Sequence, residues 1–377
     1  MFLRVVIATF LLSAAAMAAG SRPVCPGPAA FGTARCHSHV TTDKKGNPNA
    51  SAAPSGYGPV QFQTAYSLPS GTAGSTQTIA IVDAYDDPNI ESDLAVYSNT
   101  YGLPACTTAN GCFKKVNQTG GTSYPRKDAG WSLEISLDVE IAHAVCPNCK
   151  ILLVEAASNS FANLLAAEDY AVAHATVVSN SWGGGESSSE TSNDSHFNHP
   201  NHPITFSSGD SGYGVEYPAA SQYVTAVGGT TLTLNSNNSY KSETVWSGAG
   251  SGCSAYEPKP TWQTDAGCVR RTVADVAADA DPNTGAAVYD SVRYQGRSGW
   301  FQVGGTSLAS PIIASVYALA GNAANTVDGS YPYAHTSGLH DVTSGSNGHC
   351  SGSYLCTGKV GYDGPTGNGT PNNTTAF

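Results

Sequence analysis

Short apolar runs alternate along the chain with longer segments in which apolar positions recur every three or four residues. The short runs predict buried strands at 78–82, 151–155, 176–179, 204–207 and 223–227. The periodic segments predict helices at 90–101, 132–144, 161–174 and 307–320. Strands that alternate with helices predict an α/β fold, in which helices cover both faces of a parallel sheet.

Two segments precede this alternation. Residues 1–18 combine one basic residue, Arg4, with an apolar run and a small-residue end, which predicts a cleaved signal peptide. Residues 19–55 are rich in Pro, Gly and Ser and predict an irregular N-terminal arm that one disulfide holds. We expect residues 56–377 to form one large domain, because no linker divides them.

Ten cysteines, an even number, indicate an oxidising compartment and agree with export from the cell. They occur as near neighbours along the chain, so sequential pairing is the simplest connectivity. That connectivity consists of Cys25–Cys36, Cys106–Cys112, Cys146–Cys149, Cys253–Cys268 and Cys350–Cys356.

Charged residues make up only 12% of the chain, and the net charge is −11. No basic patch is visible, which argues against nucleic-acid binding. After the signal segment no apolar run approaches the length of a membrane span, so we expect a secreted protein with no membrane span. We also expect a monomer. With only 17 Lys and Arg residues, few ion pairs are lost when carboxylates protonate, so acid costs the fold little.

The first chemical candidate is Ser307, which follows Gly304-Gly305-Thr306 at the start of an apolar, Ala-rich helical segment. Glycines let a substrate backbone come close, and a helix start offers free N–H groups, so the setting suits a nucleophile. The same turn also occurs as a plain helix cap. None of the ten histidines lies in a His-Gly-Thr setting that would supply an imidazole base.

Glu134 and Asp138 are the candidates for an acid/base role. Their segment has helical periodicity, so a spacing of four places both carboxylates on one face, one turn apart. In a closed cleft one of them would keep its proton, as a serine hydrolase working in acid requires. On an exposed helix face the pair would be two solvated acids, and the sequence leaves both interpretations open.

Asp210 lies in a Ser/Gly-rich turn directly after a predicted strand, where α/β enzymes place site residues. An ionised aspartate there would be an ordinary Asx-turn residue. A protonated one would donate a hydrogen bond and serve an oxyanion hole, which again points to work at low pH.

The ordered set Glu134-x-x-x-Asp138, Ser-Ser-Gly-Asp210 and Gly-Gly-Thr-Ser307 resembles the sedolisins, the serine-carboxyl peptidases. The resemblance runs from about Gly56 to the C-terminus. It implies a subtilisin-like parallel sheet and a secreted, acid-active endopeptidase whose partners are protein or peptide substrates. Residues 179–183 are similar to the family's substrate-binding edge, where an extended peptide adds by main-chain pairing.

The resemblance also implies a role for each acid. Ser307 would be the nucleophile and Glu134 the general base, while Asp138 would orient Glu134 and share its proton. Asp210 would donate to the oxyanion beside the backbone N–H of Ser307. Asp83 stands where the family has a further acid that extends the carboxylate network.

Two Gly-rich loops near the C-terminus, each with one acid, suit a hard cation such as calcium. The resemblance makes this a single Ca²⁺ site with two carboxylates and three main-chain carbonyls. Its ligands would be the side chains of Asp341 and Asp363 and the carbonyls of Val342, Lys359 and Gly361. The family commonly has Gly where Lys359 stands, a change that a carbonyl ligand tolerates.

Two other functions stay open. A neutral subtilisin-like serine peptidase would share the Gly-Thr-Ser motif and the sheet, and it predicts a histidine within reach of Ser307. An inactive homologue would only bind peptides. Sedolisins are usually made with a large folded propeptide, whereas a few dozen residues precede the domain here. We therefore expect either that the chain folds without such a helper or that its arm has a smaller inhibitory role.

Overall fold

The computed structural model describes residues 20–377, so the predicted signal peptide at 1–18 lies outside the described residues. The helices are α1 (Pro59–Ala65), α2 (Ile90–Tyr101), α3 (Ala129–Val145), α4 (Phe161–His174), α5 (Thr306–Ala320) and α6 (Tyr331–Ala334). The strands of the first half are β1 (Gly20–Pro23), β2 (Arg35–Cys36), β3 (His39–Thr42), β4 (Ala50–Ser51), β5 (Thr78–Ala84), β6 (Phe113–Asn117), β7 (Lys150–Ala156), β8 (Val177–Asn180), β9 (Trp182–Gly185) and β10 (Ile204–Ser207). Those of the second half are β11 (Glu216–Tyr217), β12 (Thr225–Leu234), β13 (Tyr240–Val245), β14 (Gly252–Pro258), β15 (Arg270–Val273), β16 (Val276–Asp279), β17 (Ala286–Tyr294), β18 (Arg297–Gly304), β19 (Leu339–His340) and β20 (Thr370–Pro371).

The central sheet has eight strands, with β13, β12, β10, β8, β5, β7 and β6 in spatial order and β16 paired to β12. All its pairings are parallel except the one between β12 and β13. Because its strands are covered on both faces, they read as nearly continuous apolar runs such as Thr78-Ile-Ala-Ile-Val. The predicted α/β class with a subtilisin-like parallel sheet is confirmed.

Helices α3 and α5 pack on each other and on the sheet, and α4 packs on β5, β7 and β8. The predicted bounds of α2, α4 and β10 are confirmed to the residue, and the other predicted elements are found with ends shifted by a few residues. The largest shift concerns the strand expected at 223–227, which runs from Thr225 to Leu234. Its polar second half pairs with β13, so tertiary pairing rather than apolar sequence extends it.

The N-terminal arm is more ordered than predicted, because it contributes four short strands, β1 to β4. Strands β3 and β4 both pair with β18, which leads into α5, and β1 pairs with β3. Strand β2 instead pairs with β9, whose other neighbour is β11. These strands exist because partners elsewhere in the chain supply their hydrogen bonds, so a polar, Pro-rich sequence gave no local signal for them.

The five predicted disulfides are all present, each closing a loop within one local segment. The first, Cys25–Cys36, joins two points within the arm. Within residues 20–377, no helix is both long enough and apolar enough to cross a membrane.

Candidate active site

Ser307 lies in the first turn of α5, where backbone N–H groups have no partner within the helix. Its N–H donates to the carbonyl oxygen of His37 at 2.9 Å, and its hydroxyl donates to the carbonyl of Ser181 at 3.3 Å. Gly305 precedes the helix with φ +101°, and a Cβ there would clash with the His37 carbonyl oxygen. Glycine is therefore required at this position by both backbone conformation and space.

Glu134 and Asp138 lie on α3 and are fully buried. The helix is enclosed by the sheet, α5 and β17, so almost every side chain along it is buried, polar ones included. Asp138 accepts a hydrogen bond from the Ser181 hydroxyl at 3.0 Å. The hydroxyls of Ser307 and Ser38 lie beside the Glu134 carboxyl group, which has no other polar partner among the described residues. The alternative of two solvated acids on an exposed helix face is thereby excluded.

Burial shifts the titration of this pair upward. It raises the pKa of Glu134 to about 8, with the hydroxyls of Ser307 and Ser38 opposing that rise and the charge of Asp210 adding to it. Burial, together with the charges of Asp83 and Glu134, raises the pKa of Asp138 well above its usual range. Two carboxyl groups in this position hold at least one proton between them over the acid range.

Two further buried acids extend the group into the sheet, namely Asp83 on β5 and Glu155 on β7. They are register partners on neighbouring strands. Burial and the charges of Glu134 and Glu155 raise the pKa of Asp83 well above its usual range. Burial raises the pKa of Glu155 to about 9, although Lys115 lies 3.5 Å away. Glu155 was not predicted. The one available signal was a carboxylate inside the otherwise apolar run 151–156.

Asp210 lies near the start of α5, where its Oδ2 and the His37 carbonyl that accepts the Ser307 N–H both approach Gly305. The backbone N–H and the hydroxyl of Thr306 both donate to Asp210 Oδ1 at 2.8 Å. Oδ2 accepts no hydrogen bond from the described residues, and His39 Nε2 lies 3.8 Å from it. A Cβ on Gly305 would come within 2.5 Å of Oδ2, on the side where it would meet the His37 carbonyl oxygen. Burial raises the pKa of Asp210, with His39 and His37 opposing, which favours a proton on this free oxygen.

No imidazole nitrogen contacts the Ser307 hydroxyl in the described part of the chain. His37 lies in the cleft, where its Nδ1 pairs with the Ser207 hydroxyl at 2.8 Å and its Nε2 pairs with Glu216 at 2.9 Å. Both nitrogens are therefore engaged by groups other than Ser307, unlike the base of a Ser–His pair.

The predicted substrate-binding edge already carries a strand, namely β2 of the arm. Arg35 pairs with Gly183 and Cys36 with Trp182 in antiparallel register. The N–H of His37 then donates to the Ser181 carbonyl at 3.1 Å. Ser307 is fully buried where the arm crosses it, a contact that local sequence patterns could not reveal.

Asp341 and Asp363 lie in two adjacent loops, where they contact Gly361 and Lys359, two of the residues whose carbonyls are predicted ligands. Asp363 is buried and accepts hydrogen bonds from the N–H of Lys359 at 2.9 Å and from the N–H and hydroxyl of Thr366. Asp341 accepts from the N–H of Gly361 at 2.9 Å. Burial raises the pKa of Asp363 to about 7, with the charge of Asp341 adding to it, so the carboxylates are close enough to repel. Two hard oxygen donors around one loop fit a calcium ion.

A second group of acids was not predicted. Asp87, Asp93 and Asp290 are buried, and one carboxylate oxygen of each lies within 4.8 Å of the others. Ser136, Ser291 and the N–H groups of Asn89, Ser291 and Val292 donate to them.

Comparison with known proteins agrees with this geometry. A profile described as "Subtilase family" matches residues 129–335, which is more than half of the chain and includes α3, Asp210 and Ser307. The chain belongs to the subtilase family.

Within the subtilases, the chain is similar to sedolisin-type proteins. It is 32% identical over 364 residues to kumamolisin of Bacillus sp. strain MN-32, covering 85% of this chain and 63% of that protein. It is 29% identical over 366 residues to sedolisin of Pseudomonas sp. strain 101, covering 85% of this chain and 60% of that protein. The chain thus spans about three fifths of the length of these curated relatives.

Among solved structures, the subtilase fold described here is similar to that of Pseudomonas sedolisin, a serine-carboxyl proteinase determined with two molecules of pseudo-iodotyrostatin. The TM-score is 0.72 and the identity 29%, with 85% of this chain and 96% of that chain covered. A psychrophilic protease with 19% identity and a TM-score of 0.54 shares the fold.

Proposed function

We propose that this protein is a secreted, acid-active serine-carboxyl endopeptidase that hydrolyses protein and peptide substrates. The observation that carries the proposal is a buried serine whose hydroxyl lies beside one of two buried carboxyl groups, with no imidazole on that hydroxyl among residues 20–377. Similarity to kumamolisin and sedolisin supports it. Five disulfides support an extracellular location, and we propose a monomer.

In the proposed reaction, the Ser307 oxygen attacks the substrate carbonyl carbon and its proton passes to Glu134. In the reactive form of the pair, Glu134 is ionised and Asp138 carries the proton that the two groups share. Glu134 can then accept the serine proton and return it without leaving two buried negative charges. Collapse of the tetrahedral intermediate breaks the C–N bond, and the leaving amine takes the proton from Glu134. Water then repeats the sequence on the acyl-enzyme, releasing the acid and restoring Ser307.

The oxyanion is stabilised by two donors, the backbone N–H of Ser307 and a protonated Asp210. A carboxyl group donates only while it carries its proton, so activity falls as the pH rises through the pKa of Asp210. Burial raises that pKa, which extends the active range upward from strongly acidic conditions. Deprotonation of Asp210 is therefore the proposed cause of the fall in rate on the alkaline side of the optimum.

A single calcium ion is proposed in the C-terminal loops, held by the side chains of Asp341 and Asp363 and the carbonyls of Val342, Lys359 and Gly361. The ion supplies a fixed cross-link between the two loops. Its role is structural, since these residues lie outside the group around Ser307.

The proposal is tested by a pH–rate profile on denatured protein, comparing the wild type with Ser307→Ala and Glu134→Gln. We expect the highest rate well below neutrality and a loss of about a thousandfold or more in both variants. Asp169→Asn, which removes an exposed carboxylate on α4, is the matched control and keeps full activity. An optimum near or above pH 8 would favour a histidine-based peptidase, and no hydrolysis at any pH would favour the inactive homologue.

A further inference from the structure

The arm crosses the cleft in the orientation that a substrate needs. Strand β2 extends the edge strand β9, and the N–H of His37 donates to the Ser181 carbonyl at 3.1 Å. The carbonyl oxygen of His37 accepts the N–H of Ser307 at 2.9 Å, which is the oxyanion donor of the proposed function. The arm therefore places the bond between His37 and Ser38 at the nucleophile, and the side chain of His37 marks the pocket for the residue before a cleaved bond.

That pocket is polar, narrow and buried. The His37 ring is fully buried, with Nδ1 on the Ser207 hydroxyl at 2.8 Å and Nε2 on Glu216 Oε2 at 2.9 Å. Gly183 forms one wall, and a Cβ there would lie 2.7 Å from Cε1 of the ring. The absence of a side chain at Gly183 lets Glu216, on the far side of β9, reach across to the arm.

The same carboxylate binds a second basic residue of the arm. Arg35 lies two positions before His37, so both side chains project to one side of the extended chain. Its Nη2 contacts Glu216 Oε1 at 3.0 Å and donates to Ser211 at 2.6 Å. Burial alone would raise the pKa of Glu216, but His37 and Arg35 lower it to about 2, so the carboxylate is ionised throughout the acid range.

We propose that Glu216 is a specificity-determining residue that selects peptides with a basic side chain immediately before the cleaved bond and a second one two positions upstream. This inference rests on the proposed function. A neutral side chain in this pocket would leave the mostly buried Glu216 carboxylate without the charged partner on Oε2, and an acidic one would repel it. Basic side chains, which include His in acid, pair with it through charge-assisted hydrogen bonds.

The pocket is first tested without catalysis, by hydrogen exchange of residues 32–42 in full-length Ser307→Ala protein at pH 5. In this background, His37→Arg should leave the exchange rate of the backbone amides at 32–42 within about threefold of the rate with His37. His37→Leu and Glu216→Gln should each raise that rate about tenfold. The double variant His37→Leu with Glu216→Gln should add little, because both changes remove one interaction. Asp169→Asn, at an exposed position on α4, is the charge-matched control.

Equal exchange for His37→Arg and His37→Leu would overturn the inference. Since these two changes lie on the arm, that comparison holds even where Glu216→Gln folds poorly.

Peptide hydrolysis by the wild-type full chain at pH 4 provides the second test. Two quenched peptides with the arm's sequence differ only in Arg or Gln before the cleaved bond, and we expect kcat/KM to be at least about tenfold higher for Arg. Glu216→Gln should reduce the ratio to about one or two. A wild-type ratio near one would overturn the inference. Protection of the arm without hydrolysis of any peptide would instead contradict the proposed function and leave the basic-selective pocket standing.

Discussion

At the scale of single residues, the proposed oxyanion site combines a donor that never titrates with one that does. The N–H of Ser307 donates at every pH, while Asp210 Oδ2 donates only when protonated. Thr306 gives both its N–H and its hydroxyl to Oδ1, so the orientation of the carboxyl group does not depend on its charge. This separation allows the charge of Asp210 to be changed without losing its position.

Asp210→Asn is therefore expected to move the alkaline limb of kcat/KM upward by at least about one pH unit. The amide oxygen keeps both bonds from Thr306, and the amide NH₂ donates at any pH. We expect the maximal rate to fall by no more than about tenfold, or about 1.4 kcal/mol. The measurement is a pH–rate profile beside Asp169→Asn, an exposed control on α4. An unchanged alkaline limb would mean that a group other than Asp210 causes the fall in rate.

At the scale of elements, the two C-terminal loops depend on each other for the placement of their acids. Asp341 accepts from Gly361 in the other loop, whereas Asp363 accepts from Lys359 within its own. Without a cation, two carboxylates face one short loop whose N–H groups only partly offset their charge. An ion that binds the folded protein alone adds to its stability by mass action.

We expect a chelator at pH 6 to lower the melting temperature, and added Ca²⁺ at about one hundred times its dissociation constant to restore about 2.7 kcal/mol. Asp341→Asn should melt lower than the wild type and respond less to chelator. Differential scanning calorimetry provides the measurement, with Mg²⁺ as the ion that should not substitute. Identical melting curves with and without chelator would remove the calcium site.

At the scale of the whole molecule, the protein buries many acids and pairs few of them with bases. Besides the site, burial raises the pKa of Asp87 to about 7, of Asp290 to about 9 and of Glu168 to about 8. A group whose pKa is higher in the folded state is protonated there while the unfolded chain ionises. The free energy of unfolding is therefore highest below the unfolded pKa values and falls as the pH rises through the folded ones.

Stability should accordingly be greatest near pH 4 and decrease between about pH 4.5 and about pH 9, the reverse of ordinary acid denaturation. Urea unfolding at a series of pH values checks this. Asp290→Asn removes one such group but keeps an acceptor for the N–H of Val292. It should reduce the slope of the free energy of unfolding against pH by an amount that corresponds to at most about one bound proton. Greatest stability at pH 7 to 8 would contradict the expectation.

The sequence alone predicted the fold class, four helices and five strands of the core, and sequential disulfide pairing as the simplest connectivity. It also singled out the acids at 83, 134, 138 and 210 and the serine at 307. Periods of 3.6 and 2 residues are local properties, and so is the close spacing of each cysteine pair. Resemblance to an ordered motif set supplied the proposed roles.

Tertiary structure alone decided that Glu134 and Asp138 are buried rather than solvated, that Glu155 joins the acids, and that the arm fills the cleft. The last of these depends on contacts between His37 and residues more than 140 positions away, such as Ser181, Glu216 and Ser307. Each such contact forms only when separate elements fold onto one sheet. A polar, irregular segment has no hydrophobic periodicity from which its contacts could be predicted.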